Sequence, residues 1–421
     1  MASLAVAARA LLLPRGTRDD ALPLLIARAL RAVVDGCMAV LLPAYLLALG
    51  LSVFEVGVIA TATLLGSALA TVAVGVWGHR AASQRLLRAA AVLMTLTGLA
   101  FAGFTAFWPL LVIAFVGTLN PGAGDVSVFL PLEHARLASA ADGDARTALF
   151  ARYSVLGAVC AALGALVAGV PDAVQRFGGI ARTDALRAMF LLYAAVGAGV
   201  WWLYRGRAAP VARGAATTQA RKAVEAAPLG PSRGIVIRLA GLFSIDAFAG
   251  GLVVNSLLSL WLLQRFGLSL PQIGAFFFVA GLLSAASQLV APWVARRFGL
   301  LNTMVFTHIP SSLFLVGAAL VPAAWPAAAL GLLLLRSALS QMDVPTRTAY
   351  VMAAVTPPER PAAASFTAVP RSLAAALSPS ISGALLAAGW LATPLVACGL
   401  AKIAYDLLLW RACRRVPLAA E

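Results

Sequence analysis

Twelve long apolar stretches fill the chain, and they fall into two sets of six that resemble each other. About 20 apolar residues suffice for a helix to cross the hydrocarbon core. Backbone groups in lipid must be satisfied within the segment or by a closed barrel. The apolar runs are continuous, where a barrel strand would alternate, so helices are expected. The fold class that follows is an all-α integral membrane protein, with twelve transmembrane helices in two six-helix pseudo-symmetric bundles.

The spans are placed at 24–49, 56–77, 86–107, 109–132, 147–170 and 186–204, then at 235–263, 271–295, 300–321, 326–355, 362–388 and 390–410. This divides the chain into an N-terminal tail (1–23), a first bundle (24–204), a linker (205–234), a second bundle (235–410) and a C-terminal tail (411–421). The linker is polar and rich in Ala, Pro and Arg, with no apolar period, and reads as flexible. The tail before the first span has Arg9 inside its apolar run, which argues against a cleaved signal.

Only 11% of the residues are charged against 62% hydrophobic, where soluble domains carry roughly 25% charged residues. The formal charge of +16 would fit nucleic acid, but the basic residues sit in short loops between spans, as topology signals do. The loops on the side of the N-terminus hold most of them, and the opposite side holds Arg176, Arg182 and Arg265. Positive residues stay inside, so both termini are expected in the cytoplasm. Of the 32 basic residues only Lys222 and Lys402 are lysines, which suits a GC-rich bacterium and hence an inner-membrane location. Cys37, Cys160, Cys398 and Cys413 are isolated, with no CxxC pair to suggest a disulfide framework or zinc site.

The two halves align locally. Gly50-Leu51-Ser52 before span 2 matches Gly267-Leu268-Ser269 before span 8 at an offset of 217; Gly57 matches Gly274 and Arg80 matches Arg297 at the same offset. Asp125-Val126 in span 4 resembles Asp343-Val344 in span 10. Parallel repeats related by an axis along the membrane normal belong to one transporter architecture.

On these residues, and on the loop between spans 2 and 3, the chain resembles the major facilitator superfamily over nearly its whole length. The family favours G-x-x-x-D-R-x-G-R-R in that loop; Gly75 and Arg80 fit, Arg85 stands one place beyond the last arginine of the pattern, and His79 stands where the acid would be. A weaker copy, Pro292 to Gly299, follows span 8. Arginines in such a turn can pair with carboxylates and helix ends to hold one face shut. Gly122-Ala123-Gly124 fits part of the drug-exporter pattern in span 4, but its Arg is missing, and the span 5 antiporter signature is absent. The resemblance implies alternating access around a central cavity lined by spans 1, 4, 7 and 10.

Charged side chains at bilayer depth cost about 2.5–3.5 kcal/mol each even on the lenient insertion scale, so each needs a reason. Arg28, Arg31 and Asp35 share one face of span 1, with Asp35 about 16 Å from the inner end at 1.5 Å per residue. Asp246 lies at similar depth in span 7, followed by Asn255, and has no basic residue nearby in sequence. A carboxylate whose exposure changes as a gate moves can exchange a proton, so Asp35 and Asp246 are the proton-coupling candidates. Arg336, Arg31 and Asn255 are the substrate-contact candidates. Arg336, Ser340, Asp343 and Arg347 form a polar stripe on span 10, with Asp343–Arg347 read as an inner-gate pair and Pro345 loosening the helix. The other gate candidates are Arg80, Arg85, Asp125 and Glu133, with Arg152 within reach. His308 reads as packed or lipid-facing, and Lys402 with Asp406 as an intrahelical pair.

No G-x-x-x-x-G-K-[ST] motif is present, so no nucleotide or other cofactor is expected. The function expected is secondary transport of a small solute, proton-coupled, with efflux of an organic molecule ahead of uptake or exchange of an organic or inorganic anion. A non-transporting sensor on the same scaffold is the remoter reading. An intramembrane lipid enzyme would need clustered acids, and the adjacent pair Asp19-Asp20 lies in the tail. The expected partners are the solute, a coupling ion (a proton) and the bilayer, with no nucleic acid, and the chain is expected to act as a monomer.

Overall fold

The computed structural model describes residues 13–14, 16–78, 81–122, 127–206 and 229–414. Every regular element among them is helical. The first half contains α1 (Leu22–Ala48), α2 (Val53–Trp77), α3 (Ser83–Gly103), α4 (Phe107–Val116), α5 (Phe129–Ala140), α6 (Gly143–Val167), α7 (Val170–Gly178) and α8 (Arg182–Leu203). The second contains α9 (Arg233–Gly251), α10 (Asn255–Phe266), α11 (Leu270–Phe298), α12 (Leu300–Leu320), α13 (Pro326–Leu339), α14 (Asp343–Ala354), α15 (Arg360–Ala387) and α16 (Thr393–Cys413).

These helices make twelve spans, three of them broken. Span 4, expected as one helix, stops at Val116 and resumes at Phe129. Gly117 and the Asn120-Pro121-Gly122 turn end the first piece, since proline and glycine cannot sustain a helix there. Span 7 breaks between Gly251 and Asn255, and span 10 between Leu339 and Asp343. Pro345 therefore sits in the first turn of α14, where its missing N–H costs nothing, and the break precedes it. Nine helical stretches among the described residues are long and apolar enough to cross a membrane. Their outer faces expose Leu96, Leu289, Phe306, Leu320 and Leu400, as contact with lipid requires.

The internal repeat has a local cause. Gly50 and Gly267 take φ values of +87° and +62°, a left-handed turn that glycine enters without a Cβ penalty. The serine two residues on then starts the next helix. Ser52 N–H donates to Glu55 at 2.7 Å, and Ser269 N–H donates to Gln272 at 2.9 Å. Both are capping boxes.

Packing repeats as well. In the first half span 1 packs on spans 5 and 6, span 2 on span 4, and span 3 on span 6. Six spans later the same pairs recur: 7 with 11 and 12, 8 with 10, and 9 with 12. The halves meet through α2 with α15, α6 with α11, and α1 with α10. A Cβ on Gly57 would lie 2.7 Å from the Gly383 Cα, and one on Gly274 would lie 2.4 Å from the Ala165 carbonyl oxygen. The two glycines that align in sequence thus permit the two equivalent backbone contacts between the halves.

Those contacts lie in the first parts of α2 and α11 and the last parts of α6 and α15, toward the membrane face remote from the chain termini. Hydrogen bonds reinforce that end: Ser259 donates to the Val40 carbonyl at 2.8 Å, and Ser380 N–H to Thr61 at 2.9 Å. Toward the other face Val76, Trp77, Phe366 and Val369 of the same helices are exposed. The halves are therefore closed at one end.

Candidate functional site: a cavity between the halves

A cavity of about 310 Å³ lies between the halves, at the small end of the range for small-molecule sites. Its deep wall includes Val40, Ala165, Leu258 and Phe276, and its rim reaches Ser154 and Gln288, both exposed. The polar side chains on its walls include Arg28 and Asp35 of α1, Asn255 of α10, Ser284 of α11, Arg336 and Ser337 of α13, and the adjacent Ser340 and Gln341. Spans 5 and 8 contribute more than expected, through Gly157 to Ala165 and Phe276 to Gln288, while Gly122 is the contribution of span 4 among the described residues.

Asp35, expected to carry a proton, and Arg336 and Asn255, expected at the solute, all line this cavity. Among the described residues, the side chains of Asp35 and Arg336 have no ion-pair partner and no hydrogen bond. Arg28 is laid against α6, its guanidinium 5.2 Å from the Tyr153 ring centroid and in the space left by Gly157.

Arg31, expected at the substrate, is placed elsewhere. It donates to Glu133 at 2.5 Å, with the two side chains 3% and 0% exposed. Its guanidinium also lies 3.9 Å from the Phe129 ring centroid. Tyr153 and Tyr204 each donate to Glu133 at 2.5 Å. Glu133 was expected to meet a loop arginine or Arg152; the ring of donors from α1, α6 and the end of α8 satisfies it instead. Neither tyrosine was singled out in the sequence, because an aromatic at a span end reads equally well as an interface anchor.

In the second half Asp246 occupies a comparable position. Lys402 donates to its Oδ1 at 2.5 Å and Arg347 to its Oδ2 at 3.1 Å, and His308 Nε2 lies 3.9 Å away. The sequence showed no local partner because these residues are 62 or more positions distant in the chain. Asp343 pairs with Arg347 at 3.1 Å, the geometry expected of them. Lys402 and Asp406 do not pair with each other as expected. Asp406 faces His308, whose Nδ1 is 3.0 Å from its Oδ2, and His308 is buried in this cluster and turned away from lipid.

Arg85 is exposed at the start of α3 with no ion pair among the described residues. Arg80, Asp125 and His79 lie outside the described residues. Outside the spans, Glu359 binds the end of the linker to the turn between spans 10 and 11. It accepts from Thr356 Oγ1 at 2.6 Å and from the Gly230 N–H. Hydrogen bonds from Ser232, then Thr356 and Gly230, hold its carboxyl down at about 2.

Comparisons with known proteins agree with this architecture. The family model described as Major Facilitator Superfamily matches residues 24–342. An uncharacterized membrane protein of Saccharomyces cerevisiae is 28% identical over 167 residues, 39% of this chain and 37% of that protein; the match thus spans little more than a third of the relative. The solved structure of the nucleoside transporter NupG superposes with a TM-score of 0.71 at 15% identity, covering 93% of this chain and 98% of that one. A D-xylose-proton symporter gives 0.71 at 16% identity, covering 94% and 98%. A bacterial homologue of the iron transporter ferroportin, in an inward-facing state, gives 0.69 at 16%, covering 93% and 98%. At such identities the likeness is one of fold.

Proposed function

The chain belongs to the Major Facilitator Superfamily, and we propose that this secondary transporter of small solutes exports a polar organic molecule in exchange for protons. The observation that carries the proposal is the pairing pattern of the buried charges. Glu133, Asp246, Asp343 and Asp406 each face a basic group. Asp35 and Arg336, on walls contributed by different halves, are left facing the cavity. A charge retained at bilayer depth without a partner costs stability, which is consistent with a partner that arrives and leaves.

In this reading Asp35 is the carboxylate that exchanges a proton, and Arg336 with Asn255 and Gln341 contacts the solute. Asp246, its charge matched by Lys402 and Arg347, ties spans 7, 10 and 12 together, and the Asp343–Arg347 pair is part of the same tie. Arg31 and Glu133 do the equivalent for spans 1 and 4. The contacts at Gly57 and Gly274 form the closed gate, and rocking of the halves about the cavity opens it. With the termini in the cytoplasm of a bacterial inner membrane, as the loop charges indicate, the cavity opens inward. The cavity is enclosed by a single chain, so a monomer suffices.

The test is flux in proteoliposomes under an imposed pH gradient, using a metabolite library to find the solute first by thermal shift. Gradient-driven flux that survives Asp35→Asn in full would end the coupling proposal. The rival reading, transport of an anion, draws on Arg28 and Arg336 sharing the cavity with a single acid; counterflow with labelled anions separates the two.

A further inference from the structure

The cavity presents the carboxylate of Asp35 and the guanidinium of Arg336, which do not reach each other; its second guanidinium, that of Arg28, is laid against α6. Asp35 stands on α1 in the first half and Arg336 on α13 in the second, and no hydrogen bond or ion pair joins them. Two other cations are close to Asp35 along its own helix, and both are held by other groups. Arg31 is committed to Glu133. Arg28, two turns away, lies in the space beside Gly157 and over Tyr153. From α8, Tyr193 interacts electrostatically with Asp35, and its hydroxyl is engaged with Thr118 at 3.1 Å. Around Arg336 the amides of Asn255 and Gln341 also line the cavity with no side-chain hydrogen bond among the described residues.

When the halves close over a solute, water leaves and each cavity charge must be met by an opposite one or bear its full desolvation cost. A purely cationic solute answers Asp35 and strands Arg336; a purely anionic one does the reverse. We infer that the transported molecule is amphoteric, with an ammonium group set against Asp35 and a carboxylate or similar anion set against Arg336. This rests on the reading of the cavity as the transport site. It adds a substrate class that a proton-coupled carrier does not by itself require. A bidentate guanidinium–carboxylate contact orients the molecule across the gap, and a proton competes with the ammonium for the same carboxylate.

The test uses three probes that share a carbon skeleton: 6-aminohexanoate, hexylamine and hexanoate. Each is titrated calorimetrically into the purified full-length protein at neutral pH. The zwitterion is expected to bind about 10- to 150-fold more tightly than either half-analogue, since each charge-assisted contact is worth about 1.5–3 kcal/mol. Asp35→Asn removes its advantage over hexanoate, and Arg336→Gln removes its advantage over hexylamine. Equal binding of hexanoate and the zwitterion overturns the inference in favour of an anion carrier. Equal binding of hexylamine overturns it in favour of a cation carrier, and no binding of any probe at millimolar concentration overturns it outright. The wild-type comparison stands even if a variant fails to fold. Proton release on solute binding is measured separately: its persistence in Asp35→Asn ends the coupling reading and leaves the ranking of the three probes as it was.

Discussion

Arg31 of span 1 and Glu133 of span 4 form an ion pair of 2.5 Å in which both side chains are almost wholly buried. The second half holds its counterpart with the signs exchanged. There the acid, Asp246, is on span 7 and the base, Arg347, on span 10, 3.1 Å apart. Each half thus joins its first and fourth spans by a buried charge pair, and each pair carries further donors. The repeat is conserved in geometry and inverted in charge.

Removing one member of the first pair leaves the other charge buried alone. Glu133→Gln is expected to lower stability by about 3–5 kcal/mol, read as a fall in the melting temperature of the detergent-solubilised protein. Replacing both, with Arg31→Met and Glu133→Leu, should recover most of the loss. A double variant as unstable as the single one contradicts the pairing.

The second cluster yields a different signature because Asp246 has two strong donors. Lys402→Met is expected to destabilise less than Asp246→Asn, since Arg347 still faces the carboxylate, whereas the aspartate variant strands Lys402 as well. Both should fall within the few kcal/mol typical of broken buried pairs. The check is the order of the two melting temperatures, and the reverse order refutes the assignment.

At the closed gate, Gly57→Leu introduces a side chain where even a Cβ would meet the Gly383 Cα at 2.7 Å. Overpacking costs about 1–3 kcal/mol, which shifts a two-state balance about 5- to 150-fold. The expected outcome is a protein that still folds but spends most of its time with this gate open. Cysteine labelling of Asn255→Cys from the face remote from the termini measures it, and unchanged labelling rates count against the gate.

Glu359 sets a pH dependence outside the membrane. Its carboxyl is held at about 2 by donors from Ser232, Thr356 and Gly230, below the roughly 4.3 of a free glutamate. A depressed folded-state value means the stabilisation is complete above the unfolded value and is lost as pH falls from there toward 2. The gap in melting temperature between wild type and Glu359→Gln should therefore be constant from pH 7 to about 5 and shrink below that. A gap that widens on acidification is the contrary result.

Much of the architecture was legible before any coordinates. The apolar runs gave twelve spans because a helix in lipid must satisfy its own backbone, which makes span length a local property. Gly50-Leu51-Ser52 and its copy marked the repeat because a left-handed glycine and a capping serine are also local devices. Asp35, Asn255 and Arg336 were identified as cavity residues because a polar group at mid-depth is costly and so conspicuous. The breaks in spans 4, 7 and 10 were read through, since apolar periodicity continues across a short interruption.

What sequence alone determined is therefore the membrane-spanning helical class, the doubled plan and which charges lie deep. Tertiary structure alone decided which charges far apart in the chain answer one another. Arg31 with Glu133 and Asp246 with Lys402 are separated by 102 and 156 positions, and an ion pair depends on distance in space, which helix packing sets. The same packing left Asp35 and Arg336 facing a common cavity, while Glu133, Asp246 and Asp406 were each drawn to a partner on a neighbouring helix.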